Sequence, residues 1–313
     1  MSTSEPVMSV PPAGIFQPSG LFRVEGADRA TFLNGYTTQE VSTLPSGEAR
    51  LGAITDWKGQ MTDLVTFVGL ENTVWVVGTA TRSAAVVKGL RRFLVGVDVR
   101  IEPVQDWVSA VLGTLPVSQG VVTGEACARA LGLDRVPGDE ALLVASLPAP
   151  AWPASRLCVP APTAEAWAEA LDAAGHTVPD GEMRERARLA WGWPDLDLDL
   201  PPACNPWEAR MGPFVRMDKG CYLGQEVVAR LVNYKRIQRL LMGVGFSAPV
   251  PAGTSLFVEG REIGRMGSSV STTEGAWIGL ALVTAAEAVA GREVLTAEGL
   301  VGMLEDRPLW HGA

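Results

Sequence analysis

Residues 219–226 read Lys219-Gly220-Cys221-Tyr222-Leu223-Gly224-Gln225-Glu226 and run on as Val227-Val228-Ala229-Arg230. The octapeptide sets one thiol between a glycine and an aromatic ring, with an ammonium group two residues upstream. A lysine close to a cysteine favours the thiolate, which is the reactive form. Gly220 and Gly224 permit positive φ or close approach of a ligand to the backbone. Gln225 and Glu226 add donors and acceptors able to orient a bound group. On chemistry alone the stretch reads equally well as a glycine-containing turn around a small packed cysteine beside a buried tyrosine.

Downstream of Arg230 the texture is β-rich. Short apolar runs at residues 240–246, 255–258, 263–270, 277–282, 293–296 and 300–304 are separated by Gly, Pro and Glu-Gly turns. That spacing predicts a small closed barrel, with a domain running over residues 236–313. Upstream, residues 20–235 mix both periodicities. Leu21-Phe22-Arg23-Val24 predicts a strand, and Gly26-Ala27-Asp28 opens a helix through Phe32 and Leu33. Strands follow at 49–55, 61–68 and 73–77, the first two joined by the turn Trp57-Lys58-Gly59-Gln60. Thr81 starts a helix whose Val86, Val87, Leu90, Phe93 and Leu94 share one face. Strands at 97–104, 108–112 and 141–147 and around Leu157 alternate with helices at 125–131, 163–174 and 180–191. Residues 148–162 read as a Pro-rich loop, 194–202 as irregular, and 1–19 as a mobile arm. The fold class is α+β, without internal repeats.

At 313 residues, with 47% hydrophobic and 19% charged residues, the chain is a folded protein of two or three subdomains. A net charge of −9 argues against general binding to nucleic acid, although Arg230, Lys235, Arg236 and Arg239 make one local basic cluster. The four cysteines, Cys127, Cys158, Cys204 and Cys221, form no Cys-x-x-Cys pair, so no metal site is expected. Only two histidines occur, His176 and His311. Without a basic-then-apolar leader, the spaced thiols suit a reducing cytoplasm. The longest apolar segment, residues 275–291, contains Glu287 and is too short for a membrane span.

The octapeptide resembles, at each fixed position, the signature of the YgfZ family, folate-binding relatives of the glycine-cleavage T-protein (aminomethyltransferase), and Val227-Val228-Ala229-Arg230 extends the likeness. Val24-Glu25-Gly26-Ala27-Asp28 with Phe32-Leu33-Asn34-Gly35, Asn205-Pro206-Trp207-Glu208-Ala209, and Ile263 to Ser269 followed by Ile278 to Val283 look like further family segments. The resemblance implies three subdomains around a central folate-sized channel, with the small β-barrel last. It implies tetrahydrofolate or a derivative as cofactor, and a cytoplasmic monomer serving iron–sulfur client enzymes such as radical-type tRNA-modifying enzymes. Cys221 and Lys219 then take the chemical role, with Gly220, Tyr222, Gly224, Gln225, Glu226 and Arg230 as the motif around them. Asp63, Arg188 and Trp191 become the candidate folate contacts.

The sequence also departs from the T-protein pattern. Where that enzyme carries two adjacent aspartates, this chain has Thr62-Asp63. Where it carries a pterin-gripping glutamate, Arg188-Leu189-Ala190-Trp191-Gly192 offers Ala190, with Trp191 or Trp193 available to stack instead. These losses argue against glycine cleavage. An accessory role in iron–sulfur enzyme assembly or repair is the expectation, the alternatives being a folate-dependent one-carbon transferase and an inactive binding scaffold.

Overall fold

A computed structural model describes residues 17–112, 120–145, 155–176 and 181–307. The arm expected over residues 1–19 falls mostly outside these, as does His311. Gln17–Pro18, within that expected arm, is a short strand, β1.

The first layer comprises β2 (Gly20–Glu25), α1 (Arg29–Asn34), β3 (Ala49–Thr55), β4 (Met61–Gly69), β5 (Thr73–Gly78), α2 (Ala80–Arg91) and β6 (Arg100–Val104). Its strands form an antiparallel sheet in the order β3-β4-β5-β2-β6. Alternation along β4 decides what each face meets. Val65 and Phe67 pack with Val86, Val87 and Leu90 of α2 and Phe32 and Leu33 of α1. Leu64 and Val68 serve the opposite face, in two other cores. The strand expected at 97–104 is shorter because Asp98 is used locally. Its carboxylate and its carbonyl accept the Ala27 and Asp28 N–H groups, holding the chain off the ladder ahead of Arg100.

The second layer comprises β7 (Trp107–Leu112), β8 (Gly120–Thr123), α3 (Glu125–Ala130), β9 (Leu142–Ala145), β10 (Ser155–Pro160) and α4 (Ala164–Ala173), with sheet order β1-β7-β10-β9-β8. Part of the expected 148–162 loop is therefore strand, and Pro160 sits at its end. Trp167 and Leu171 of α4 cover Leu143 and Leu157 on the outer face. On the inner face, Leu142, Val144 and Cys158 meet Leu21, Val68 and Val77 of the first sheet. The two sheets thus lie face to face with helices outside.

From α5 (Gly181–Trp191) the chain runs irregularly to α6 (Gln225–Asn233), then enters β11 (Arg239–Phe246), β12 (Ser255–Val258), β13 (Arg261–Ser271), β14 (Trp277–Thr284), β15 (Glu293–Thr296) and β16 (Val301–Glu305). These six strands close a barrel in the order β11-β14-β13-β12-β15-β16, as the sequence spacing predicts. Leu241, Val270, Leu280 and Leu282 of the barrel share one core with Leu51, Leu64, Leu189, Leu200 and Met211. Buried Glu208 reinforces that joint: it takes a two-armed ion pair from Arg239, and its carbonyl accepts Leu241 N–H at 2.8 Å. Arg239 is thereby removed from the expected surface basic cluster. Among the described residues no helix is long and apolar enough to cross a membrane.

Candidate functional site

The octapeptide is held from three sides. Lys219 Nζ donates to the carbonyl oxygens of Asn34, Thr37 and Gln39 at 2.7, 2.8 and 2.7 Å. Leu223 N–H donates to Gly35 O at 2.9 Å, and Thr55 Oγ1 donates to Leu223 O at 2.6 Å. Gly224 has φ 83°, and a Cβ there would overlap the Asp56 carbonyl of the β3–β4 turn. Only glycine lets that turn seat on the segment. Gly224 is also the N-cap of α6. The sequence reading assigns no helix there, passing from the octapeptide directly to the β-rich strands.

This geometry corrects the role assigned to Lys219. Its three N–H donors are all spent on carbonyls, leaving none for the thiol, so it acts as a tether. Burial pushes its pKa down to about 8, against the opposing charge of Glu40. Its Nζ also lies 5.3 Å from the ring centroid of Tyr222. Tyr222 is buried, which pushes its phenol up to about 12, and its hydroxyl has no partner among the described residues. Gln225 Oε1 accepts Tyr222 N–H at 3.3 Å, closing the turn on itself. Glu226 and Arg230 pair with each other on the exposed side of α6 and do not contact the turn. Besides Glu226, the residues the octapeptide presents outward are Gly220 and Cys221.

The other thiols differ sharply. Cys127, Cys158 and Cys204 are buried, and burial raises them to about 11, 12 and 12. Cys221 alone is exposed. His176 points its Nε2 at Leu131 O, 2.7 Å away. Among the described residues no three His, Cys, Asp or Glu side chains converge as a metal site requires.

A separate cleft of about 550 Å³ opens between the inner sheet faces and the Trp193–Asp197 segment, a size typical of small-molecule sites. Its walls are Leu64 and Thr66 of β4, Gly78 to Thr81 at the start of α2, Ser109 and Val111 of β7, Ser155 and Arg156 of β10, Arg184 and Arg188 of α5, Trp193 and Asp195. Its lining comes from the first two layers, α5 and the Trp193–Asp197 segment, and the barrel backs it through the shared core. No residue of 219–226 lines it: thiol and cleft are separate features of the surface.

Asp63, expected to face the cofactor, does not line the cleft. It lies on the α2 side of β4, where Oδ2 accepts Thr79 N–H at 3.0 Å and Oδ1 accepts Thr79 Oγ1–H at 2.8 Å and Leu64 N–H at 2.9 Å. Strand alternation gives the cleft-side face to Thr62, Leu64 and Thr66, so the carboxylate missing from the adjacent pair is the one that face would present. Arg188 lines the cleft as part of its wall. It pairs with Glu185, reaches Asp199 at 2.6 Å and donates to Trp193 O at 2.6 Å. Trp191 is not among the lining residues, whereas Trp193, two residues on, is.

Sequence reading missed the rest of the cleft. Arg184 lies one helical turn before Arg188, a spacing that places both on one face. Burial, with Arg188 contributing, lowers its pKa from the ordinary arginine value. Neither Arg184 nor Arg156 makes a hydrogen bond or ion pair among the described residues. Asp195 Oδ1 accepts the N–H groups of Asp197 and Leu198, while Oδ2 has no donor among the described residues. Ser19 Oγ is buried in the wall and has no partner among the described residues. A ring to stack on, two unpaired cations, an open carboxylate oxygen and an unsatisfied hydroxyl suit a flat, polar, anionic ligand.

No family model matches this chain. It is 26% identical over 311 residues to the protein named "putative transferase, chloroplastic" of Arabidopsis thaliana, with 92% of this chain and 69% of the relative covered. It is likewise 26% identical over 319 residues to the human mitochondrial iron-sulfur cluster assembly factor IBA57, covering 93% of this chain and 82% of that protein. Among solved structures, the glycine cleavage system aminomethyltransferase T from Bartonella henselae superposes with a TM-score of 0.80 at 20% identity, over 96% of this chain and 87% of that one. The chain therefore has the aminomethyltransferase fold, mixed α and β with a six-stranded C-terminal barrel.

Proposed function

We propose that this protein binds a tetrahydrofolate in the cleft and acts through the exposed Cys221 segment as an accessory protein for assembly or repair of iron–sulfur enzymes, after the manner of the YgfZ branch. The clients on this reading include radical-type tRNA-modifying enzymes. Similarity to a human iron-sulfur cluster assembly factor supports the class of role. The carrying observation is that Cys221 is the one exposed thiol, on a segment that part-buried hydrogen bonds fix to both α1 and β3.

The cleft residues fit a reduced folate. Trp193 offers a face for the pterin, Asp195 Oδ2 an acceptor for its N–H edge in place of the glutamate that Ala190 replaces, and Arg156 and Arg184 cations for the glutamyl carboxylates. Tetrahydrofolate bound there would provide a carrier of one-carbon units; this chain's part is to hold and orient it. The fold likeness to an aminomethyltransferase keeps a one-carbon transferase as the second reading. Thr62 on the cleft-side face, where an acid or base would be needed, weighs against it.

Complementation separates the two. Cells lacking the protein receive wild type, Cys221→Ala or Asp195→Asn at matched levels, and activity of a radical-type iron–sulfur enzyme is measured in extracts. The accessory reading expects Cys221→Ala to fail while remaining folded. Full rescue by Cys221→Ala, with failure only of the cleft variant, would transfer the function to folate chemistry alone.

A further inference from the structure

A basic, partly apolar face runs from the β3–β4 turn along α6. The turn seats against the start of the helix: a Cβ on Gly59 would lie 3.0 Å from Val228 and 3.2 Å from Val227. At the tip, Trp57 is 70% exposed, with Lys58 Nζ 5.1 Å from its ring centroid. Along α6 the exposed stripe carries Val227 at 38%, Arg230 one turn on, and Tyr234 at 65% a second turn on, under the guanidinium of Arg236 at 5.6 Å. From turn to Tyr234 the face extends roughly 15 Å.

Its charges are unbalanced. Glu226 and Arg230 neutralise one another, but Lys58, Lys235 and Arg236 have no carboxylate partner among the described residues. Three cations without an ion-pair partner lie along this one face, against the single carboxylate of Asp56 in the turn, which leaves the face net positive on a chain of net charge −9. Large aromatics and arginine exposed together are the residues that anchor protein interfaces. We infer that this face docks a partner protein through an acidic surface surrounding an apolar contact. A nucleic acid fits less well: a chain of net −9 is repelled from an extended phosphate backbone, and three cations neutralise few phosphates. A symmetric second copy would bring the three cations against their own images. The inference stands whether or not the cleft holds a folate.

The test places a photo-crosslinking amino acid at Trp57, at Tyr234 and, as a control on the barrel, at exposed Met303. Proteins captured in cells are identified, purified and titrated against the full chain at low and moderate salt, with wild type and the double variant K235E/R236E. The inference expects one acidic protein captured from both 57 and 234 but not from 303, with at least tenfold weaker binding by the double variant at unchanged melting temperature. Affinity should fall as salt rises. Four outcomes would overturn it: an RNase-sensitive adduct, an adduct to a second copy of this chain, no protein common to the two positions, or equal affinity of the double variant.

Discussion

Asp63 and Thr79 form a closed pair: one carboxylate accepts both the backbone N–H and the hydroxyl of one threonine, at 3.0 and 2.8 Å. Thr79 is the N-cap of α2, so the carboxylate stands at the positive end of the helix. A Cβ on Gly78 would collide with Asp63 Oδ2, so the strand end is shaped around that oxygen. Burial nevertheless pushes Asp63 up from 3.8 to about 6, with the hydrogen bonds from Thr79 and Leu64 opposing. The folded state therefore holds this proton more tightly than the unfolded chain. Stability should fall as pH rises from about 4 to about 6 and level off above, by about 3 kcal/mol at most. Asp63→Asn should remove that slope, so the stability difference between the two proteins should itself shift in the variant's favour by up to about 3 kcal/mol as pH rises from about 4 to about 6. Denaturant midpoints measured from pH 4 to 7 on both proteins decide it; an unchanged slope in the variant would place the titration elsewhere.

Lys219 predicts a stability effect of the opposite kind to an activated-thiol role. Lys219→Met keeps the stem and deletes three hydrogen bonds, leaving the Asn34, Thr37 and Gln39 carbonyls without this donor. The expected loss is about 2–4 kcal/mol, seen as a lowered melting temperature. Lys219→Arg should not restore it, because a planar fork cannot reach three carbonyls converging on a point. If Lys219→Met melts like wild type, the tether is not structural.

Gly224→Ala should be the most damaging single methyl in the octapeptide. Positive φ costs a non-glycine residue about 1–2 kcal/mol, and the added carbon also meets the Asp56 carbonyl. The β3–β4 turn must then lift from α6. Limited proteolysis near Trp57 should quicken in the variant, while Gly220→Ala, whose Cβ would meet only Asn34 Nδ2 at 3.9 Å, should behave like wild type.

The four cysteines should divide into one and three. With an uncharged alkylating reagent, native protein should lose one thiol fast, and Cys221→Ser should abolish that phase. Cys127, Cys158 and Cys204 should react only at the rate of unfolding, since burial both hides them and disfavours their thiolates. Two fast phases in native protein would contradict the burial.

The fold was largely legible because period two and period 3.6 are written into strands and helices with one apolar face. β3, β12 and β15 begin and end where their sequence does. The cleft was much less legible. Thr62 and Asp63 are neighbours in sequence, but they point to opposite sides of β4, and only the side chosen by α2 decides which one meets a ligand. Trp191 and Trp193 differ likewise by a helix end. Arg156 and Arg184 are brought together by strand and helix packing across the chain, which no local pattern announces. The exposure of Cys221 and the commitment of Lys219 both follow from contacts to residues 34–39.

The cleft itself makes the last prediction. Tetrahydrofolate titrated calorimetrically into the protein should bind, and Asp195→Asn should weaken it by roughly 10- to 100-fold, matching loss of one charge-assisted hydrogen bond of about 1.5–3 kcal/mol. The substitution is mild elsewhere, because an asparagine oxygen can still accept the Asp197 and Leu198 N–H groups that Oδ1 accepts now. Arg184→Ala should act differently. If the two unpaired guanidinium groups meet the glutamyl carboxylates, its penalty should grow with the number of glutamates on the ligand and shrink as salt rises, whereas the Asp195 penalty should depend on neither. Asp63→Asn, remote from the cleft lining, should leave affinity within about twofold once compared at a pH where both proteins are fully folded. A folate that binds equally to Asp195→Asn and wild type but fails with Asp63→Asn would reverse the assignment of the two acids. No heat and no thermal stabilisation with wild type would remove the folate from this cleft altogether.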